Sequence, residues 1–359
     1  MINEDIIKLV PKVELHDHLD GGLRPATVIE LAQEDGVQLP TYDEAELKKW
    51  FTAGYAGNLA HYLELFSLAV GVMQTKEALE RTAFEAMEDY ARENVVYAEV
   101  RFAPVLHTQK GLNLEEIVTS VLNGLERGRK KTGVHYGLIL CAMRNQSPQL
   151  SLEMAELAVA FRTRGVVGFD IAGDESGHPP KRHIQAFQYI RSRNFNITIH
   201  AGEGFGLESI WQALQICGAH RIGHGTHIVD DMTIEGDQIT KMGDLSHFIQ
   251  DKRIPLEMCI QSNIDTGAVK SYESHPFIML LRNNFRVFLC SDNRTISNTN
   301  LTQEMIKASR AYDLSFKDLE KISVNAMKSA FIHQPEKLDL IFNTIKRQFT
   351  ELRSKYKLD

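Results

Sequence analysis

A chain of 359 residues with 43% hydrophobic and 24% charged side chains can bury a large core without disulfide or metal staples. Its formal charge of −7, from 40 basic and 47 acidic residues, argues against a nucleic-acid partner, which would need a basic excess. The start Met1-Ile-Asn-Glu-Asp5 has no basic-then-apolar leader, and no apolar run is long enough to span a bilayer, so no membrane association is expected. Four scattered cysteines without a C-x-x-C pair fit a reducing, cytoplasmic setting and exclude thiolate zinc sites.

In chain order, apolar β-rich runs of strand length fall at 13–19, 95–102, 135–143, 166–171, 196–199, 221–223, 255–260 and 286–290. Most are apolar on successive residues, the pattern of strands covered on both faces. The long gap after the first run holds helical patterns at 26–33, 44–51, 59–73 and 76–93, read as an insertion (24–94) packing over one end of the fold. Thereafter one helical pattern separates most neighbouring runs. Asn113 with Glu116 has the form of a capping box, Gly165 suits a helix C-terminus, and Pro276 suits a first helical turn. The basic stretch 127–131 closes a helical pattern, where it complements the helix dipole. Beyond Asn300 the chain reads as helical, with Ser315 and Asp318 marking one start. Eight strands alternating with helices predict an α/β fold: a closed (β/α)8 TIM barrel as a single domain over 1–359, with a helical tail over 300–359.

In such a barrel chemistry sits at the C-terminal strand ends. The first ends in His16-Asp-His18-Leu-Asp20; residues two apart on a strand share a face, so His16 and His18 can bind one metal ion. The fifth ends in His200-Ala-Gly-Glu203, where a His and a Glu can face one cavity. The sixth carries His224 between two glycines, with His227 equally readable as a loop residue. The eighth runs into Cys290-Ser-Asp292-Asn293-Arg294; Asp292 is either a ligand or a helix cap, since a buried carboxylate needs a partner. The fourth ends at Gly173, where backbone can approach a ligand closely. Three or four nitrogen and oxygen ligands with an open position are the arrangement of a catalytic zinc, which acidifies bound water. That leaves Glu203 and His224 for proton transfer.

These stretches, with 95–104, 170–175 and 256–259, resemble the adenosine deaminase family of metal-dependent hydrolases, in family order from residue 11 to 294. The resemblance implies zinc-dependent hydrolytic deamination of adenosine and 2′-deoxyadenosine in purine salvage, with one Zn2+ per chain held by His16, His18, His200 and Asp292. It implies that Glu203 gives a proton to purine N1 and that His224 orients and deprotonates the attacking water. Gly173 would offer its N–H to N3, Asp20 would bind the ribose hydroxyls, and His18 would also border the substrate. Leu59, Tyr62, Leu63 and Phe66 look like an apolar lid, although the same spacing describes plain helix packing. One departure stands out. Asn293 replaces the second of two adjacent aspartates in the animal-type pattern, and its amide can donate to purine N7. Adenine, AMP or N6-methyl-AMP are the alternative substrates, AMP needing a cation such as Arg24. A cyclic-amide hydrolase is disfavoured by the lack of Lys at the fourth strand end, and a non-catalytic binding protein by the complete site. Oligomeric state is not readable.

Overall fold

The computed structural model describes residues 2–52, 59–236 and 238–358, with backbone alone for 59–64. Ten strands are present among them: β1 (Lys12–His18), β2 (Val95–Phe102), β3 (His135–Met143), β4 (Val166–Ala172), β5 (Asn196–Ala201), β6 (Arg221–His224), β7 (Met232–Glu235), β8 (Gln238–Met242), β9 (Pro255–Met258) and β10 (Arg286–Leu289). Eight of them pair in the order β1-β2-β3-β4-β5-β6-β9-β10, with parallel registers throughout. The two ends of that sheet meet. His18 N–H donates to the Asp292 carbonyl at 2.7 Å, and Asp292 N–H donates to the His16 carbonyl at 2.8 Å. The fold is thus the expected TIM barrel, with its seam lying between the first and last strands.

The barrel strands are nearly uniformly buried; β1 has no exposed position at all. That is why their sequences are continuously apolar rather than alternating. Helices cover the outside, and Gly124 and Gly128 let the Leu114–Thr132 helix press against Lys76–Arg92. A Cβ at Gly124 would lie 2.2 Å from the Glu80 carbonyl oxygen. The Asn113/Glu116 and Ser315/Asp318 capping boxes are both formed. The helix Leu59–Gly71 runs past the short turns Leu19–Gly21 and Pro104–His107, which follow β1 and β2. It therefore lies at the C-terminal mouth of the barrel.

Two details differ from the sequence reading. Strand β9 stops at Met258 because the helix Ile260–Asp265 starts there, shortening the expected 255–260 run. The antiparallel hairpin β7–β8 was not anticipated; its residues are mostly exposed, so no buried face imprints a period on the sequence. No helix of the described residues is long and apolar enough to cross a membrane.

Candidate metal and catalytic site

Three imidazoles and one carboxylate converge at the barrel mouth. His16 Nε2 and His18 Nε2 each lie 3.1 Å from His200 Nε2. Asp292 Oδ1 lies 3.2 Å from His16 Nε2 and 3.4 Å from His18 Nε2. The four residues are buried, and their ligand atoms all fall within 4.8 Å of one another. A tetrahedral ion with bonds of about 2.0–2.1 Å would separate its ligands by roughly 3.3 Å. The donor set and its spacing therefore fit a single ion.

The surroundings fix the tautomers. His16 Nδ1 faces Glu257 Oε2 at 2.7 Å, and His200 Nδ1 faces Asp170 Oδ2 at 3.0 Å. Each ring donates outward to a carboxylate and turns its Nε2 lone pair inward. Lone pairs opposed at this distance repel unless a cation lies between them. Burial holds His200 down to about 4 and His18 well below its usual value, so both stay neutral and ready to ligate. Burial and Arg101 also pull His16 down, but the flanking Asp292 and Glu257 lift it to about 9; an ion at Nε2 would replace that proton.

Beneath the ligands lies a lattice of buried charge. Arg101 donates to Asp170 at 2.7 Å and to Glu257 at 2.8 Å, so one guanidinium holds both carboxylates that orient ligand rings. Arg221 Nε adds a 2.6 Å bond to Glu257. Against burial, the neighbouring cations hold Asp170 and Glu257 well below the usual carboxylate range. Removing one partner of such a group costs about 3–5 kcal/mol, because a charge is left buried and uncompensated.

His224 and Asp292 share a rare backbone conformation, with φ of 63° and 62°. Left-handed backbone is costly away from glycine, although His and Asp tolerate it better than most residues. It turns both side chains at the strand ends toward the cavity. His224 Nε2 is 3.5 Å from Glu203 Oε2, and Asn263 reaches both residues, 2.9 Å from Glu203 Oε1 and 3.1 Å from His224 Nδ1. Thr266 Oγ1 donates to the same Glu203 oxygen at 2.9 Å. Burial raises the Glu203 carboxyl above the usual carboxylate range, only partly offset by His224, which favours the protonated form.

Glu203 is aimed from behind by Glu175. The Glu175 carboxylate accepts the backbone N–H groups of Gly202 at 2.9 Å, Glu203 at 2.8 Å, Gly204 at 2.6 Å and Phe205 at 3.1 Å, and the Ser209 hydroxyl as well. Four successive amides around one carboxylate leave the loop after β5 a single conformation.

Asp20 is buried between two imidazoles, with Oδ1 4.0 Å from His18 Nδ1 and Oδ2 3.9 Å from His107 Nε2. Among the described residues, Asp20 Oδ1 and His107 Nε2 have no hydrogen-bond partner. Gly173, at φ 99°, follows β4. The half-buried Phe66 ring stands edge-on to His18, centroids 6.4 Å apart. Asn293 packs against Gly21 so closely that a Cβ there would lie 2.1 Å from Asn293 Oδ1. The side chains of Leu59, Tyr62 and Leu63 lie outside the described residues.

The sequence profile of the family described as adenosine deaminase matches residues 11–347. This chain belongs to the adenosine deaminase family. It is 50% identical to "Adenosine deaminase 1" of Streptomyces coelicolor, covering 98% of this chain and 90% of that protein. It is 51% identical to an adenosine deaminase of Mycobacterium sp. (strain KMS), over 96% of this chain and 97% of its relative. Among solved structures it is similar to adenine deaminase of Arthrobacter aurescens, with a TM-score of 0.83 and 26% identity over 95% of this chain and 98% of the other. Like other adenosine deaminases it is a hydrolase acting on C–N bonds, from a metal-dependent family, and it carries a His/Asp cluster able to hold a metal.

In this adenosine deaminase fold, His16, His18, His200, Asp292, Glu203 and His224 come together at one place. His227 does not join them; it lies at the surface 2.9 Å from Asp230. Sequence reasoning passed over Glu175, Asn263, Thr266 and Arg101. For Arg101, Asp170 and Glu257 a signal existed, namely ionisable residues inside apolar strands, which demand buried partners. Asn263 and Thr266 lie past a strand end on an ordinary-looking helix and left no such mark.

Proposed function

We infer that this chain catalyses the hydrolytic deamination of adenosine and 2′-deoxyadenosine: water replaces the 6-amino group, and inosine or 2′-deoxyinosine leaves with ammonia. One Zn2+ per chain would be held by His16, His18, His200 and Asp292, whose imidazole and carboxylate donors suit it. When bound, zinc supplies Lewis acidity that makes water a nucleophile at neutral pH. The chain's own groups do the rest. Glu203, whose carboxyl desolvation shifts toward the protonated form, donates to purine N1 and makes C6 electrophilic. His224, tethered through Asn263, takes the proton of the attacking water and passes it toward the departing nitrogen. The backbone N–H of Gly173 donates to N3, and the Asn293 amide donates to N7. His18 and Phe66 border the ring.

The observation that carries this reading is the cluster of three imidazoles and one carboxylate, with the half-buried Glu203 carboxyl 3.5 Å from the neighbouring His224. The ribose end supports a nucleoside over free adenine, since Asp20 and His107 offer unmatched polar atoms to sugar hydroxyls. AMP is less well served. Arg24, the nearest cation in the first loop, is bound to Asp89 at 2.7 Å and Glu88 at 3.0 Å. A cytoplasmic setting goes with the reading, supported by four cysteines that are all buried and unpaired. The test is the ultraviolet shift on mixing purified protein with adenosine, 2′-deoxyadenosine, AMP, N6-methyl-AMP or adenine, before and after chelation and zinc return. Adenosine and 2′-deoxyadenosine should turn over fastest, and only with metal. Faster turnover of adenine or a nucleotide, or full activity without metal, would overturn the assignment.

A further inference from the structure

At the opposite end of the barrel, a cavity of about 510 Å³ opens beneath the first residues of β5, β6, β9 and β10, closed on one side by the segment 328–337. That volume is ordinary for a small-molecule site. Its lining is not ordinary. Arg221, Lys252, Arg253, Arg286, Lys328 and Lys337 all line it, and no Asp or Glu is among its lining residues. The chain as a whole carries −7, so this is a local concentration of positive charge against the general trend.

The cations there are incompletely matched. Arg221 gives Nε to Glu257 and Nη1 to Glu99, each at 2.6 Å, while its buried Nη2 has no partner among the described residues. The buried Nε of Arg286 is likewise unpartnered. Lys337 Nζ reaches the Lys328 carbonyl oxygen at 3.4 Å. Burial, with Arg221 and Arg286 nearby, depresses Lys337 despite the pull of Glu99; burial and Arg253 depress Arg286. Arg221 has Glu99 and Glu257 as counter-ions, whereas Arg286 and Lys337 have no carboxylate partner among the described residues and lie in partly desolvated positions near other cations. The bottom face of a barrel usually serves stability, and crowded cations serve it badly. Guanidinium forks beside ammonium groups match the oxygens of a phosphoryl group.

We propose that this cavity binds a phosphate-bearing anion, its oxygens taken by Arg286, Lys337 and the unmatched edge of Arg221. The source is inorganic phosphate, pyrophosphate or the phosphoryl end of a nucleotide. The site is separate from the deaminase centre, because strand residues climb about 3.3 Å each and Arg221 begins the strand that His224 ends.

The test is calorimetric titration of the metal-loaded, full-length protein with inorganic phosphate, pyrophosphate and AMP at physiological ionic strength, with and without saturating inosine. At least one should bind saturably, one per chain, and inosine at the nucleoside site should not displace it. Arg286→Ser and Lys337→Ser should each weaken binding roughly tenfold, the worth of one charge-assisted hydrogen bond. Arg221 is left intact because it also holds Glu257. In anion-free buffer the double variant should melt no lower than the wild type, since repulsion is relieved, and it should lose the rise in Tm that the anion gives the wild type. Lys252→Glu, which places a carboxylate at the exposed edge, should weaken binding without touching the interior. Equal affinity for phosphate and AMP would identify the free anion as occupant, and tighter AMP a nucleotide. Absence of saturable binding, full displacement by inosine, or affinities unchanged in the variants would overturn the proposal.

Discussion

Glu203 feels two opposed pulls on its proton: burial favours the neutral acid, and His224 beside it favours the anion. Burial wins, and an upward shift is the direction that a proton donor needs. Glu203→Gln keeps the shape and can still accept from Asn263 and Thr266, but has no acidic proton. It is expected to retain its metal while kcat falls by about 10²–10⁴, read from initial rates alongside metal analysis. Asp265 illustrates the same physics outside the chemistry. Burial raises it to about 6, although Gln261 and Ser297 pull the other way, and its Oδ2 is buried without a partner among the described residues. Its folded value lies above the ordinary 3.8, so its contribution to folding is most favourable below about pH 4 and is lost as pH rises through 6. Asp265→Asn keeps an acceptor for Gln261 and removes the charge. It should therefore stabilise the fold at pH 7 by about 1–2 kcal/mol, a figure discounted for partial exposure. Denaturant melts across pH should show that gain full above 6 and gone below 4; a gain independent of pH would mean that the charge is not its origin.

The loop after β5 carries Glu203, and Glu175 gives that loop its shape. Glu175→Gln replaces a doubly accepting carboxylate with an amide whose N–H groups confront backbone donors. It should cost about 1.5–3 kcal/mol, the range for hydrogen bonds to a charged group, read as a lower Tm. Because the loop orients Glu203 rather than the nucleoside, kcat should fall about tenfold or more with KM little changed, a split that a general loss of fold would not give. The sequence exposed the position of this loop but not its support. His200 and Glu203 stand out because they follow an apolar strand, whereas Glu175 acts on backbone amides, which have no letter in a sequence. The left-handed turns at His224 and Asp292 were hidden for a similar reason; only the flanking Gly223 and Gly225 hinted at unusual backbone. All eight barrel strands were legible within two residues or so, because burial on both faces writes itself as continuous apolar runs. The exposed hairpin β7–β8 was illegible because nothing in it faces a core. Asn293 is tied to its element too. Gly21→Ala would drive a methyl group into the Asn293 side chain, so it should lower Tm and raise KM for adenosine if Asn293 holds the purine.

For the whole molecule, an ion held by His16, His18, His200 and Asp292 would be tied to the fold through the buried lattice centred on Arg101. The ligands are brought together by the folded barrel alone, so an ion that binds there stabilises only the native state. Stripping it should lower Tm by roughly 5 °C or more when the free ion had been in large excess over its Kd. Returning zinc should restore both Tm and turnover in parallel; restored Tm without turnover would detach the ion from the chemistry. The seam has a consequence for biosynthesis. The ligand cluster draws on the strand made first, through residues 16 and 18, and on the strand made last, through residue 292. A growing chain halted before that carboxylate emerges owns every imidazole yet cannot complete the cage. Any ion that takes this cage could therefore meet all four donors only after the ring is shut, and would then clasp the first strand to the end of the last.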